Sequence, residues 1–220
     1  MDSLLLLCRV DAFLVRGSGM FMHSDVIGIG LPETPSHHGN FLFVCTYNCR
    51  SIASEQDLRT LLCGSRNIKY DVIALQETKG RTETIRKTDH NELLIIGAKV
   101  DRKNIGGVGF LVNSAVHHLV DSHKIISPRI AVLRLETKDQ GAISIINGYA
   151  PTSDEEKEEF YKLFERTVND EKSYYKVVVG DFNATDDGPG KAQMEKHVRR
   201  STMFLQTNAG VVRPLRAAFI

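Results

Sequence analysis

The sequence predicts an α/β fold, and three observations lead to this prediction. Short apolar runs typical of buried strands alternate with segments of helical periodicity. The chain has 220 residues, a length that suits one domain or one domain with an appendage. Hydrophobic residues make up 42% and charged residues 25% of the chain, so it can form a substantial core.

The first elements follow an irregular lead-in. Residues 1–40 are rich in Gly, Pro, Ser and His, which predicts a poorly ordered or loosely packed segment. The apolar run Phe41–Tyr47 predicts a buried strand. A helix is predicted to start at Ser54, a favourable N-cap with Asp57 at the third helical position, and Gly64 ends it.

The middle of the chain has the sequence pattern of a series of short strands. These strands are Val72–Leu75, Leu93–Ile96, Val108–Val112, Ile130–Leu135 and Ile143–Ile146. Gly106 and Gly107 predict a hairpin-like turn before the third of them.

The clearest helix is predicted to start at Ser153, which forms a capping-box pattern with Glu156. Apolar residues then recur at helical spacing and predict a buried stripe: Phe160, Leu163, Phe164 and Val168. This helix leads to a strand at Val177–Val179. The pattern weakens after Ala184, so the chain divides into a lead-in (1–40), a domain (41–184) and a divergent tail (185–220).

Charge and cysteine content limit the possible functions and compartments. The net charge is only +1, so binding to nucleic acid would depend on local patches such as Lys79 with Arg81, each of which also reads as ordinary surface charge. The four cysteines are scattered and lack zinc-like spacing, which favours reduced thiols in an intracellular, nuclear or cytoplasmic protein. No apolar stretch is long enough to span a membrane, and no obligate protein partner is indicated.

Polar residues of catalytic type follow several predicted strands. They are Asn48, Glu77, Tyr149, and Asp181 with Asn183. In layered α/β folds functional sites collect where strands end, and carboxylate and amide oxygens suit a hard cation such as Mg²⁺. Each residue alone also fits a simple turn, because Asp and Asn are common turn residues.

The strand ends and the sequences around them carry a family resemblance. The segments concerned are Thr46-Tyr47-Asn48, Ile73-Ala74-Leu75-Gln76-Glu77-Thr78, Gly106-Gly107-Val108-Gly109, Tyr149-Ala150-Pro151 and Gly180-Asp181-Phe182-Asn183-Ala184. In this order they resemble the endonuclease/exonuclease/phosphatase superfamily. Within it they look most similar to the apurinic-like endonuclease domain of RTE-type non-LTR retrotransposons and to craniofacial-development-like proteins.

The resemblance implies a four-layer α/β sandwich with two central mixed sheets flanked by helices. It also implies DNA phosphodiester cleavage that depends on Mg²⁺, with Mn²⁺ as a possible substitute. Glu77 and Asn48 would hold or support the metal, and Tyr149 would contact the scissile phosphate. Asp181 would orient or deprotonate the attacking water, with help from Asn183. Arg129 matches a substrate-binding arginine, although a surface charge at a strand start fits it equally well.

The chain also departs from the family pattern. The family has a later Asp and a final Ser-Asp-His motif, and residues 185–220 match neither. Thr88-Asp89-His90 lies too early and predicts a polar loop. We therefore expect a sandwich that is incomplete at its C-terminal side, as in a truncated copy. The alternatives to a DNA endonuclease are a phosphomonoesterase acting on lipid or inositol phosphates and a non-catalytic remnant.

Overall fold

The structure, a computed structural model, describes residues 25–30, 41–100, 105–137, 141–182, 203–207 and 212–215. Its described residues form two six-stranded sheets. The strands of sheet A are β1 Asp25–Gly30, β2 Phe41–Asn48, β3 Val72–Gln76, β4 Thr84–Lys87, β5 Leu93–Ile96 and β6 Gly109–Val112. They lie in the order β1-β2-β3-β6-β5-β4, and only β2 and β3 pair in parallel.

Sheet B is also mixed. Its strands are β7 Val120–Ser127, β8 Ile130–Thr137, β9 Gly141–Tyr149, β10 Tyr175–Asp181, β11 Met203–Thr207 and β12 Val212–Leu215. They lie in the order β12-β11-β10-β9-β8-β7, and only β9 and β10 pair in parallel. A short 3₁₀ helix, His117–Leu119, precedes β7.

Two helices cover the outer faces of the sheets, so the described residues form four layers. Helix α1, Glu55–Ser65, packs on sheet A through Leu58 and Leu61. Helix α2, Asp154–Asp170, packs on sheet B through Phe160 and Phe164. The predicted four-layer α/β sandwich is thus confirmed. Among the described residues, neither helix is long and apolar enough to cross a bilayer.

The central core lies between the two sheets. Successive side chains of a strand point to opposite faces, so both faces of the central strands are apolar. In β9, Ile143 and Ile145 face sheet A, whereas Ile146 packs under α2. The same alternation in sheet A places Ala74 between the sheets and Leu75 under α1. This explains why the predicted strands are continuous apolar runs.

Helix starts follow the sequence prediction in position, but only one makes its predicted cap. The Ser54 side chain accepts a hydrogen bond from the Asp57 backbone N–H at 3.1 Å, as expected for an N-cap. Ser153 is the N-cap of α2, yet its side chain makes no capping hydrogen bond. Because the Ser153 bond is missing, the predicted capping box is not formed; Glu156 forms an ion pair with Arg129 at 2.9 Å.

Several strands lie where the sequence analysis placed none. Strand β1 lies within the lead-in that was predicted to be irregular, and it pairs with β2. Strands β11 and β12 extend sheet B past residue 184, in the tail that was left without strands. The edge strands β4 and β7 were also missed, because their exposed polar residues lack the apolar pattern of a buried strand.

Candidate active site

Four of the predicted polar residues meet at one edge of the sandwich. The parallel pair β2 and β3 and the parallel pair β9 and β10 all end there. Asn48 is the last residue of β2, and its Nδ2 donates to Glu77 Oε1 at 2.8 Å and to Asp181 Oδ2 at 3.2 Å. One amide nitrogen thus links a carboxylate of sheet A to a carboxylate of sheet B.

The orientation of the Asn48 amide is fixed by its other end. Asn48 Oδ1 accepts a hydrogen bond from the Arg50 backbone N–H at 2.9 Å. A backbone N–H can only donate, so the atom facing it must be the oxygen and Nδ2 must face the carboxylates. Asn48 therefore meets Glu77 and Asp181 as a hydrogen-bond donor in this arrangement, and its predicted role as a metal ligand or support stays a prediction.

Two glycines shape the backbone that presents Glu77. Glu77 and Lys79 have positive φ values of 52° and 53°, which are uncommon for residues with a side chain. The segment is held by hydrogen bonds from Thr78 N to Gly107 O (3.0 Å) and from Lys79 N to Gly106 O (3.1 Å). Both glycines have φ of 83°, and a Cβ on Gly107 would collide with Thr78 Oγ1. The carbonyl groups of Gly106 and Gly107 thus hold the Glu77 segment in place. These glycines lie in a long connection between β5 and β6 and not in the tight hairpin-like turn predicted for them.

Tyr149 lies beside Glu77 at the end of β9 and is buried. Burial, followed by the charge of Glu77 and a hydrogen bond to it, raises the pKa of the Tyr149 phenol from 10.0 to about 12. The nearby Arg129 guanidinium, 5.4 Å from the ring centroid, opposes this rise in pKa. Tyr149 therefore stays a neutral hydrogen-bond donor near neutral pH.

Arg129 is close to the site but already has partners. Its backbone oxygen accepts a hydrogen bond from Tyr149 N at 2.8 Å, which ties the start of β8 to the end of β9. Its guanidinium forms the ion pair with Glu156 on α2 in addition to its contact with the Tyr149 ring. Arg129 is thus positioned at the rim, with its charge available only if it leaves Glu156.

Gly180 allows β10 to place Asp181 next to β9. Its φ is 142°, and a Cβ at this position would collide with the Gly148 carbonyl oxygen. The Asp181 carbonyl accepts a hydrogen bond from Ala150 N at 2.8 Å, which fixes the backbone at the strand end. Phe182 is fully buried under α2, with its ring centroid 5.4 Å from that of Phe164. The Asp181 side chain is consequently held at the open edge.

The residues present fit a hard divalent cation. Two carboxylates reach the same amide nitrogen, and both Glu77 and Asp181 remain partly exposed. Lys79 Nζ lies 3.9 Å from Glu77 Oε2, so a cationic group already neighbours this carboxylate. Mg²⁺ is bound in proteins by one or two carboxylates together with water and substrate phosphate. Within the described ranges, no group of three or more His, Cys, Asp or Glu side chains forms a denser metal site.

The remaining predictions have mixed outcomes. Asn183 lies outside the described residues, so its role stays a prediction. Asp89 and His90 of Thr88-Asp89-His90 are exposed turn residues, whereas Thr88 is half-buried and donates a hydrogen bond from its N–H to Glu92 O at 2.9 Å. Lys79, interpreted as surface charge, is part of the site edge. The sequence analysis did not single out Gln76 or Asn147 as site residues. Each is an amide at the end of an apolar run, and this pattern could have identified a polar contact near the site.

Comparison with known proteins identifies a family for this chain. A model of the endonuclease/exonuclease/phosphatase family matches residues 45–216, and it continues past residue 184, where the sequence resemblance ended. No curated protein matches the sequence.

Several solved structures are similar in fold. A humanized TDP2 from D. rerio with 14 mutations is 11% identical, with a TM-score of 0.47 over 74% of this chain and 69% of that chain. A conserved protein of unknown function from Enterococcus faecalis V583 is 13% identical, with a TM-score of 0.44 over 70% and 71%. CdtB, the biologically active subunit of cytolethal distending toxin, is 13% identical, with a TM-score of 0.42 over 71% and 72%.

Proposed function

Because the chain belongs to the endonuclease/exonuclease/phosphatase family, we propose that it is a Mg²⁺-dependent phosphodiester hydrolase that cleaves DNA. The observation that carries the proposal is the Asn48 amide, which donates to both Glu77 and Asp181 at the sandwich edge. A structural turn would not need two carboxylates from different sheets at one point. Holding them there costs electrostatic repulsion, which a bound cation would relieve.

In the proposed site the roles follow from position and charge. Glu77, with Asn48 as its support, would hold the cation, for which Mn²⁺ could substitute. When bound, Mg²⁺ polarises a phosphoryl oxygen and stabilises the negative charge that develops during displacement. Asp181 accepts a hydrogen bond from the same Asn48 nitrogen as Glu77, and its carboxylate can accept a proton from a water molecule.

The reaction is a displacement at phosphorus. The water oxygen forms a bond to phosphorus and its proton passes to Asp181, while the bond from phosphorus to the sugar oxygen breaks and this leaving oxygen takes a proton from solvent. The neutral phenol of Tyr149, which is hydrogen-bonded to Glu77 in the free protein, turns its O–H to a phosphate oxygen when substrate binds. Arg129 leaves Glu156 to contact the phosphate, and Asn183 assists at the same group.

We further propose that the substrate is DNA of the kind cut by retroelement endonucleases of the RTE type. Two sequence details support this assignment: Tyr149-Ala150-Pro151 and Gly106-Gly107-Val108-Gly109. The net charge of +1 makes the expected binding weak and salt-sensitive, since only local cations at the site edge would neutralise phosphates.

Nicking of supercoiled plasmid in the presence of Mg²⁺ tests the proposal. Glu77→Gln and Asp181→Asn keep side-chain size and are each expected to lower the rate by roughly 10²–10⁴-fold, since the first weakens the proposed cation site and the second removes the proposed base. Glu83→Gln, an exposed carboxamide change on the β3–β4 connection, is the matched control and should cleave like the unaltered protein. Chelation of Mg²⁺ by EDTA should abolish nicking in all variants.

Two outcomes would contradict the proposal. Full nicking by both Glu77→Gln and Asp181→Asn would show that the site lies elsewhere. Absence of nicking together with turnover of inositol phosphates would instead indicate the phosphomonoesterase chemistry considered from the sequence.

A further inference from the structure

Two amide side chains lie buried between the sheets directly below the candidate site. Gln76 is 1% exposed and Asn147 is completely buried. Gln76 Nε2 donates to Asn147 Oδ1 at 2.7 Å, which connects the last residue of β3 to β9 across the sandwich. Gln76 Oε1 accepts from Thr46 Oγ1 at 3.0 Å, so β2 is also joined to this bridge.

The Asn147 amide makes two further bonds to sheet A. Its Nδ2 donates to Leu75 O at 2.9 Å and to Gly109 O at 3.0 Å. Leu75 and Gly109 are the last paired residues of β3 and β6 at this edge. Both atoms of the Asn147 amide are therefore satisfied by three bonds to the opposite sheet. We call Thr46, Gln76 and Asn147 the amide bridge.

The amide bridge is polar, although the neighbouring positions between the sheets are apolar. On the inter-sheet faces, the preceding positions of the same strands are apolar: Ala74 in β3 and Ile145 in β9. An apolar pair would fill the same space without the desolvation cost of two amides. Apolar packing, however, accepts small shifts of one sheet over the other, whereas short hydrogen bonds with defined angles do not.

The position of the bridge along the strands links it to the reacting groups. Gln76 immediately precedes Glu77, and Asn147 precedes Tyr149 by two residues, on the same face of β9. Thr46 precedes Asn48 by two residues in β2. Each member is thus one or two residues from a residue of the candidate site, and the cross-sheet bonds fix the sheets where the site requires them to meet.

We propose that Gln76 and Asn147 are positioning residues, which set the distance between Glu77 on sheet A and Tyr149 and Asp181 on sheet B. The inference rests on the proposed function for its catalytic consequence. Its structural consequence, a fixed approach of Tyr149 to Glu77, can be measured independently of cleavage. A displacement of about 1 Å in a catalytic constellation can cost roughly 10²-fold in rate, so this positioning would control kcat rather than KM.

The test uses Asn147→Leu and Gln76→Met, which keep approximate size and remove the amides, and the double variant. Nicking by each single variant is expected to show kcat lowered by roughly 10²-fold with KM changed by less than about threefold. The double variant should be no more than a few-fold slower than either single variant, because both changes break one unit. Ser144→Ala is the matched control. It is equally buried in β9, where it bonds to Glu171 and Ser173 away from the site, and its kcat should be unchanged.

A second readout separates failure of this inference from failure of the proposed function. The full chain is labelled with 3-fluorotyrosine, whose phenol is more acidic, and the ¹⁹F resonance of position 149 is assigned with Tyr149→Phe. In Asn147→Leu this resonance should shift from its position in the unaltered protein, since Glu77 no longer lies against the phenol. Thr46→Val removes only the outer bond, so it keeps the test decisive if Asn147→Leu or Gln76→Met fails to fold, and its resonance should show the same change to a smaller degree.

An unchanged resonance at position 149 in Asn147→Leu, Gln76→Met and Thr46→Val would overturn the inference whether or not the protein cleaves DNA. A kcat loss in Ser144→Ala as large as that in Asn147→Leu would overturn it as well, because loss of any buried polar contact would then suffice. A protein that shows the resonance change but no nicking in its unaltered form would retain the positioning role and contradict only the proposed reaction.

Discussion

Replacing Asn48 by Asp tests whether its amide lies between two charged carboxylates. Asn48→Asp keeps the side-chain shape and the oxygen that accepts from Arg50, but it places a carboxylate oxygen where the donor now meets Glu77 Oε1 at 2.8 Å and Asp181 Oδ2 at 3.2 Å. At an effective dielectric constant of about 20, unit charges roughly 3 Å apart repel by about 5 kcal/mol. The folded protein therefore favours protonation of one carboxyl group.

Protonation limits the destabilisation and gives it a pH dependence. At about pH 7 the electrostatic cost cannot exceed about 4 kcal/mol, the free energy needed to protonate an Asp of pKa about 3.9 at about 1.4 kcal/mol per unit. The new group has a raised pKa in the folded state. Its penalty is accordingly absent below the unfolded pKa near 4, and stability falls as pH rises from there through the folded pKa. We expect Asn48→Asp to lower the unfolding free energy by about 3–4 kcal/mol at about pH 7.

Urea unfolding between about pH 4 and pH 8, with and without Mg²⁺, measures this effect. Saturating Mg²⁺ should restore more stability in Asn48→Asp than in the unaltered protein, because binding to the folded state is linked to stability and a third carboxylate strengthens that binding. Asn113→Asp is the control, since Asn113 uses its Oδ1 as an acceptor from Ala115 N and is not a site residue. Equal, pH-independent stabilities of Asn48→Asp and Asn113→Asp would refute the assigned geometry.

Three further predictions concern Gly180, Tyr149 and Glu156. Gly180→Ala should lose about 3–5 kcal/mol in urea unfolding, since it adds both a strained φ and a backbone collision, whereas Gly141→Ala, with φ of 75° and nothing within 4 Å, should lose clearly less. The neutral Tyr149 phenol stabilises the fold fully below the unfolded pKa near 10, and this contribution, about 1–2 kcal/mol once solvent screening at the site edge is allowed for, is lost as pH rises through about 12. Tyr149→Phe should remove this part of the loss of unfolding free energy at alkaline pH, and an identical loss in both proteins would contradict the prediction. Glu156→Gln frees the guanidinium of Arg129 and should lower KM for plasmid DNA by up to about fivefold, an effect that a rise in KM would exclude.

Much of the site was predictable because strands in layered α/β folds deliver polar residues to one edge. The runs before Asn48, Glu77 and Asp181 are apolar enough to identify central strands from the sequence. The sequence does not show whether neighbouring strands run parallel or antiparallel. The parallel pairing of β2 with β3 and of β9 with β10, which brings these residues to one edge, was therefore not predictable. The hydrogen bonds of Asn48 supply the missing information, because they join strands of both sheets.

Other features lacked a sequence signal of sufficient strength. Asn147-Gly148 read as the end of a strand, because Asn and Gly favour turns, yet β9 continues through both to Tyr149. Burial of Asn147 depends on carbonyl groups of the opposite sheet, which are invisible to local pattern. In β4, Ile85 is half-exposed at a sheet edge, so the period-2 apolar pattern that identifies strands is absent.

The bond between Asn48 and Asp181 joins residues that are 133 positions apart in the chain. Sheet A ends with Val112, yet the second carboxylate arrives only with β10. During synthesis, the proposed nuclease centre thus cannot assemble until residue 181 has left the ribosome and the two sheets have docked. Contacts of such long range form late, because loop-closure entropy must be overcome before they stabilise the chain. A nascent or half-folded chain would then be unable to cut nucleic acid, so activity would serve as a sensitive report of complete folding.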